Sequence, residues 1–230
     1  MIDRFYINNK NVLKWIHLLI IVAVVFGGCK QSMKNSNSSV PTQLFREIDY
    51  PTPNIDSTRV NELQGIVLHH TAEPTVEASL NILSSSEKKV GAHVVIDTNG
   101  TRYIMAKPTA VTYHAGYSVL NGRDSCNLFT LGIEFQGNTL EAPLTDAQIL
   151  SGVEYLIPIL KEYNIPLQNI VTHEMVRMAY KKKYPERKCF GKVDITQEEY
   201  HRFMDVLYES QHALEYYRLP NHVGRRNRGE

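Results

Sequence analysis

The stretch Gly65-Ile66-Val67-Leu68-His69-His70 decides how the rest of the chain is read. Its first four residues are apolar or small with β-branched character, which suits a buried strand, and the run ends in two histidines. Working outward, Ala92 to Asp97 reads as a second strand, followed by Thr98-Asn99-Gly100 and the apolar run Thr101 to Met105. Asn-Gly between two such runs is a hairpin signal, because both residues tolerate the positive φ that tight hairpin turns need. Phe129 to Gln136 and Asn169 to His173 are further short strands. Helices alternate with them. Thr145 with Gln148 forms a capping box ahead of Ile149, Leu150, Val153, Leu156, Ile157 and Leu160, which recur at helical spacing, and Pro158 is expected to kink or loosen the last turns. Thr196 and Glu199 make a second box ahead of Tyr200, Phe203, Met204 and Leu207. Shorter helices are expected over Val76 to Ser86 and Met175 to Tyr184. The expected fold class is α/β, with a mixed central β-sheet flanked by helices.

The 230 residues suffice for one domain with a sizeable core. A hydrophobic share of 43% with 21% charged residues excludes wholesale disorder and a multi-span membrane protein. With 25 basic against 24 acidic residues there is no global field favouring nucleic acid. At the N-terminus, Arg4, Lys10 and Lys14 precede the apolar run Trp15 to Phe26, which ends in Gly27-Gly28-Cys29. The run is shorter than the roughly 20 apolar residues a spanning helix needs, so residues 1–29 read as a signal peptide. Small residues before a cysteine resemble a bacterial lipobox, making Cys29 the expected lipidated residue, although Phe26 departs from the usual leucine. The expected location is the cell envelope, on the periplasmic side, anchored to the membrane by that lipid. Residues 30–63 are polar and rich in Ser, Asn, Thr and Pro, and are expected to be a flexible linker. The folded domain is placed at 64–215 and a basic tail at 216–230.

Three polar residues sit where apolar ones are expected. His69 and His173 close two strands, and Glu134 lies inside the apolar strand Leu131-Gly132-Ile133-Glu134-Phe135. Strand ends can converge on one site, and a carboxylate in an apolar strand is suited to proton transfer near neutrality unless it is paired. A hydrogen-bonded structural role explains each residue taken singly. A cysteine hydrolase using Cys126 or Cys189 is a more distant reading.

Longer strings carry a resemblance. Gly65 to Ala72, then Gly91-Ala92-His93-Val94-Val95-Ile96-Asp97 with Asn99-Gly100, then Tyr113-His114-Ala115-Gly116-Tyr117-Ser118, resemble, in this order, the N-acetylmuramoyl-L-alanine amidase and peptidoglycan-recognition-protein superfamily. Gly122-Arg123-Asp124-Ser125-Cys126-Asn127, Leu131 to Gly137 and Thr145-Asp146-Ala147-Gln148 are similar to its branch that recycles anhydro-muropeptides. The resemblance implies a zinc hydrolase that cuts the amide bond between N-acetylmuramic acid and L-alanine, with peptidoglycan or muropeptides as partner and a monomeric state. It implies His69 and His173 as zinc ligands, Glu134 as the catalytic glutamate, and His93, Arg123 and Asn127 as lining the substrate cleft. Since side chains on a strand alternate faces, only one of His69 and His70 can point at the metal.

The third ligand departs from the family pattern, in which it follows the second histidine by about eight to ten residues and a lysine precedes it by two. Lys192-Val193-Asp194 reproduces the lysine spacing, whereas Arg187-Lys188-Cys189 offers a cysteine with arginine in place of lysine. The reading adopted is Asp194 as ligand with Lys192 facing the oxyanion, Cys189 being the competitor. A pairing of Cys126 with Cys189 is left open. A non-catalytic peptidoglycan-binding module of the same fold is the alternative function.

Overall fold

The computed structural model describes residues 44–189 and 194–218, with side chains described as far as residue 212. The signal segment, Cys29, the linker up to residue 43, Lys192 and the end of the tail lie outside the described residues. A compact unit spans Gln43–Leu207.

Its centre is a six-stranded sheet built from β1 (Glu47–Asp49), β2 (Gly65–His70), β3 (Val94–Ile96), β4 (Arg102–Ile104), β7 (Thr130–Phe135) and β8 (Ile170–Thr172). The strand order is β1-β4-β3-β7-β2-β8. Only the β3–β4 pair is antiparallel, turned at Gly100, which adopts φ of 84°. A separate two-stranded hairpin joins β5 (Val119–Leu120) and β6 (Arg123–Asp124) through a second Asn-Gly turn, Asn121-Gly122. The helices are α1 (Val76–Leu83), α2 (Asp146–Glu162), α3 (His173–Lys183) and α4 (Gln197–Arg218). A mixed sheet flanked by helices is the expected fold class.

Alternation along β2 and β7 sorts residues between the two faces of the sheet. Ile66, Leu68, Leu131, Ile133 and Phe135 join Val94 and Ile96 on one face, where α2 and α4 contribute Ile149, Val153, Leu156, Ile159, Phe203 and Leu207 to one buried cluster. Val67, Gly132, His69 and Glu134 point to the other face. There the apolar packing splits into two smaller clusters, one around Val67, Val171, Phe129 and Val176, the other around Val95, Leu80, Leu83 and Met105. The site lies on that second face.

Two local expectations change. Residues 44–63 are not a linker. Glu47–Asp49 pairs in parallel with Arg102–Ile104, and Asn54 donates to the carbonyls of Leu83, Ser85 and Val90. The strand is held by the buried Arg102, whose Nε donates to Glu47 at 2.9 Å and whose guanidinium also reaches the Ser151 carbonyl of α2. Helix α2 continues through Pro158 to Glu162, and its Thr145–Gln148 capping box is reciprocal. The second box is only half formed. Thr196 Oγ1 accepts from the Glu199 amide, but the Glu199 carboxylate accepts instead from the Leu144 amide and from Arg202.

Candidate active site

His69 and Glu134 are register partners on the adjacent parallel strands β2 and β7, so their side chains rise side by side from the same face. His173 follows β8 directly as the first residue of α3, where Thr172 caps the helix by accepting from the Met175 amide. Asp194 comes back to the same place 21 residues later. Its Oδ2 lies 2.5 Å from His173 Nδ1 and 3.9 Å from His69 Nδ1. The ring centroids of the two histidines are 4.9 Å apart.

One ligand atom from each of His69, His173 and Asp194 lies within 4.8 Å of the other two. Two imidazole nitrogens and one carboxylate oxygen are the donor set of a catalytic zinc site with three protein ligands. A carboxylate as enclosed as that of Asp194, 1% exposed, is stable only against cationic or hydrogen-bonding partners, and both imidazole nitrogens are turned to it. The residues therefore fit a zinc ion. Cys189 is not part of this group. Both Cys126 and Cys189 are free thiols, and burial pushes the Cys126 thiol up to about 11, which removes it as a nucleophile near neutral pH.

A cleft of about 300 Å³ opens over the group. His69, His114, Glu134, His173 and Asp194 line it together with the apolar Ile82, Leu83 and Val90 and with Tyr113. Such a volume with a few convergent polar groups in an apolar surround suits a small organic ligand.

The adjacent histidine faces the other way. His70 pairs in register with Phe135, and its Nδ1 accepts from the Thr139 amide at 3.1 Å.

The three residues expected to line the substrate cleft have other positions. His93 is fully enclosed. Its Nδ1 accepts from the Gly132 amide and pairs with the Thr112 hydroxyl, and its Nε2 reaches the Ala110 carbonyl at 2.9 Å. Burial pushes its pKa down to about 4, so the ring is neutral. Asn127 Oδ1 accepts the amides of His114 and Ala115 at 3.1 and 2.7 Å, which makes it a clamp for that loop. Arg123 pairs with Glu62 at 2.7 Å and lies over the Phe129 ring. Local sequence could not separate these jobs from ligand contact, because each residue type serves both.

One residue of the site was missed. His114, quoted above only as part of a string, lines the cleft with its Nδ1 3.2 Å from His69 Nε2. Burial first, then the neighbouring His93 and His173, hold it well below the usual histidine range. The signal was Gly132, a glycine in the middle of an apolar strand, which marks a close approach from outside the sheet. A Cβ there would sit 2.5 Å from His114 Cγ.

Comparison with known proteins places this geometry. The profile of the N-acetylmuramoyl-L-alanine amidase family matches residues 59–188, a span that holds His69, His114, Glu134 and His173 and ends short of Asp194. The chain is 41% identical over 90 residues to the 1,6-anhydro-N-acetylmuramyl-L-alanine amidase AmpD of Haemophilus influenzae, covering 38% of this chain and 47% of that protein. It is 37% identical over 76 residues to AmpD of Enterobacter cloacae, covering 33% of this chain and 36% of that protein. The similarity thus spans less than half of either curated relative. A crystal structure of a selenomethionine AmpD derivative superimposes with a TM-score of 0.50 at 20% identity, over 74% of this chain and 99% of that one, which is a likeness of fold. Because the family's profile takes in more than half of the chain, including four of the five polar residues His69, His114, Glu134, His173 and Asp194 in the cleft lining, the protein belongs to the N-acetylmuramoyl-L-alanine amidase family.

Proposed function

We propose that this protein hydrolyses the amide bond between N-acetylmuramic acid and L-alanine in peptidoglycan or muropeptides, with zinc held by His69, His173 and Asp194. The observation that supports it most directly is the convergence of those three side chains beside Glu134, in a family whose name states the reaction. Zinc in such a site supplies Lewis acidity toward the scissile carbonyl and toward water, and so a nucleophile near neutral pH. The chain's own residues do the rest. Glu134, 8% exposed and in register with His69, is positioned to take a proton from the attacking water at a carboxylate oxygen and hand it to the leaving amine of L-alanine. Ile82, Leu83 and Val90 in the lining offer apolar surface to the substrate, whose binding against them would displace water from the cleft. In the proposed reaction Lys192 faces the oxyanion, a role carried by the family resemblance alone.

The protein is further proposed to act in the cell envelope as a lipoprotein anchored through Cys29. Sequence pattern supports that part. Among the described residues no helix is long and apolar enough to cross a membrane.

The test is mass spectrometry of muropeptides incubated with the protein, with and without a chelator. Stem peptides beginning at L-alanine, lost on chelation and restored by zinc, are expected. Uncut muropeptides from folded, zinc-loaded protein would favour a module that binds peptidoglycan without cutting it.

A further inference from the structure

The hydrogen bonds behind His69 have only one consistent set of proton positions. The Thr130 hydroxyl donates to the Cys126 carbonyl at 2.7 Å, so toward any other neighbour its oxygen can only accept. The Thr130 carbonyl can only accept as well. Both oxygens face His114 Nε2, at 3.2 and 3.3 Å, and that nitrogen must therefore carry a proton. The His114 ring is buried beside the rings of His69 and His93, and with Nε2 as its donor its Nδ1 is the acceptor of the imidazole. Facing that lone pair at 3.2 Å is His69 Nε2, which is thereby the protonated nitrogen of His69. The other nitrogen of His69, Nδ1, lies 3.9 Å from Asp194 Oδ2, on the side of the proposed metal.

The acceptor cannot swing away. Its ring lies against the bare backbone of Gly132, where a Cβ would meet Cγ, Nδ1 and Cβ of His114 at 2.5, 2.6 and 2.9 Å. Behind the ring, Asn127 clamps the amides of His114 and Ala115 through one carbonyl oxygen.

We infer that His114 is a positioning residue that accepts a hydrogen bond from His69 Nε2–H and so holds the His69 ring with Nδ1 turned to the metal. This rests on the reading that His69 holds zinc. A histidine ligand whose second nitrogen donates to a fixed acceptor is oriented and made more basic, and losing such an acceptor typically lowers metal affinity by about 10–100-fold. Thr130, Gly132 and Asn127 are then parts of the metal site although none of them reaches it.

Two measurements on the full chain test this. In the wild type, with and without zinc, long-range proton–nitrogen correlation NMR of the histidine rings should show His114 protonated at Nε2 and bare at Nδ1, facing a protonated His69 Nε2; a proton on His114 Nδ1 overturns the inference. Zinc affinity by competition with a chromophoric chelator should fall about 10–100-fold in His114→Phe, which keeps a ring without an acceptor. His114→Asn, whose Oδ1 can stand where Nδ1 stood, should recover most of the loss. Equal affinities in wild type and His114→Phe, or no recovery in His114→Asn beyond that of His114→Phe, would sink the positioning role. A wild type that takes up no zinc would instead defeat the proposed metal site, and the tautomer measurement would still decide the relay.

Discussion

The two faces of β2 and β7 are made by the same twelve residues, yet they solve opposite problems. On one face Ile66, Leu68, Leu131, Ile133 and Phe135 meet α2 and α4 in a single continuous apolar cluster. On the other, Val67 stands among Gly65, Gly132, Thr130 and the ionisable His69 and Glu134, and the apolar packing breaks into two clusters. One face holds the fold together by area removed from water, which is tolerant of detail. The other holds a handful of atoms in place by hydrogen bonds whose directions cannot be exchanged. Stability and chemistry should therefore separate when the two faces are altered.

The largest effect is expected from Phe203→Ala, which empties the space against Phe135 and Gly152 on the helix face. It should lower unfolding free energy by about 3–5 kcal/mol in urea titrations, while amidase turnover per folded molecule stays at the wild-type value. Glu134→Gln should do the reverse. Turnover is expected to drop about 10²–10⁴-fold with the urea midpoint nearly unmoved, and a parallel loss of both would erase the distinction between the faces.

His93 gives a pH test of the same contrast. Its pKa is near 6.5 when exposed and about 4 when folded, so between those values the unfolded chain binds a proton that the folded chain refuses. Its contribution to stability is complete above about pH 6.5 and is lost as pH falls toward 4, about 3 kcal/mol over the window. Urea titrations of metal-free protein from pH 7 to 5 should already show more than half of that slope; a flat profile would mean that His93 is not enclosed as described. The smallest effect belongs to Thr145→Ala on the helix face, about 1 kcal/mol from loss of the reciprocal cap, measured as a shift in urea midpoint with no change in turnover.

The helix face was easy to read from sequence because area and periodicity are local signals. Long apolar runs marked β2 and β7, and the 3.6-residue recurrence after Thr145 marked α2. Strand β1 was hidden because Glu47-Ile48-Asp49 has two charges in three residues; what makes it a strand is Arg102, 55 positions away, gripping Glu47. The site face was legible only in part. His69, Glu134 and His173 stood out as polar residues at strand positions, and the resemblance supplied Asp194. His114 did not stand out, since it lies on a loop and its meaning depends on Thr130 and Gly132. Arg123 and Asn127 were assigned outward because the types suit ligands, whereas Arg123 pairs with Glu62, 61 positions away, and Asn127 with the His114–Ala115 amides across the β5–β6 hairpin.

Helix α3 and the turn after it occupy the interval between His173 and Asp194, about twice the separation that the resemblance implies. Polymer statistics make such an excursion nearly neutral. Doubling the length of a closed loop adds only about 0.6 kcal/mol of closure entropy, and here Val176 and Tyr180 of α3 are themselves buried. Chain separation between two ligands is thus weakly constrained by thermodynamics, whereas His69 and His173 are placed by the ends of β2 and β8, and Asp194 is held by its contacts with them. In this fold, segments between His173 and Asp194 can lengthen, shorten or take on new surface chemistry while the two histidines stay where β2 and β8 put them.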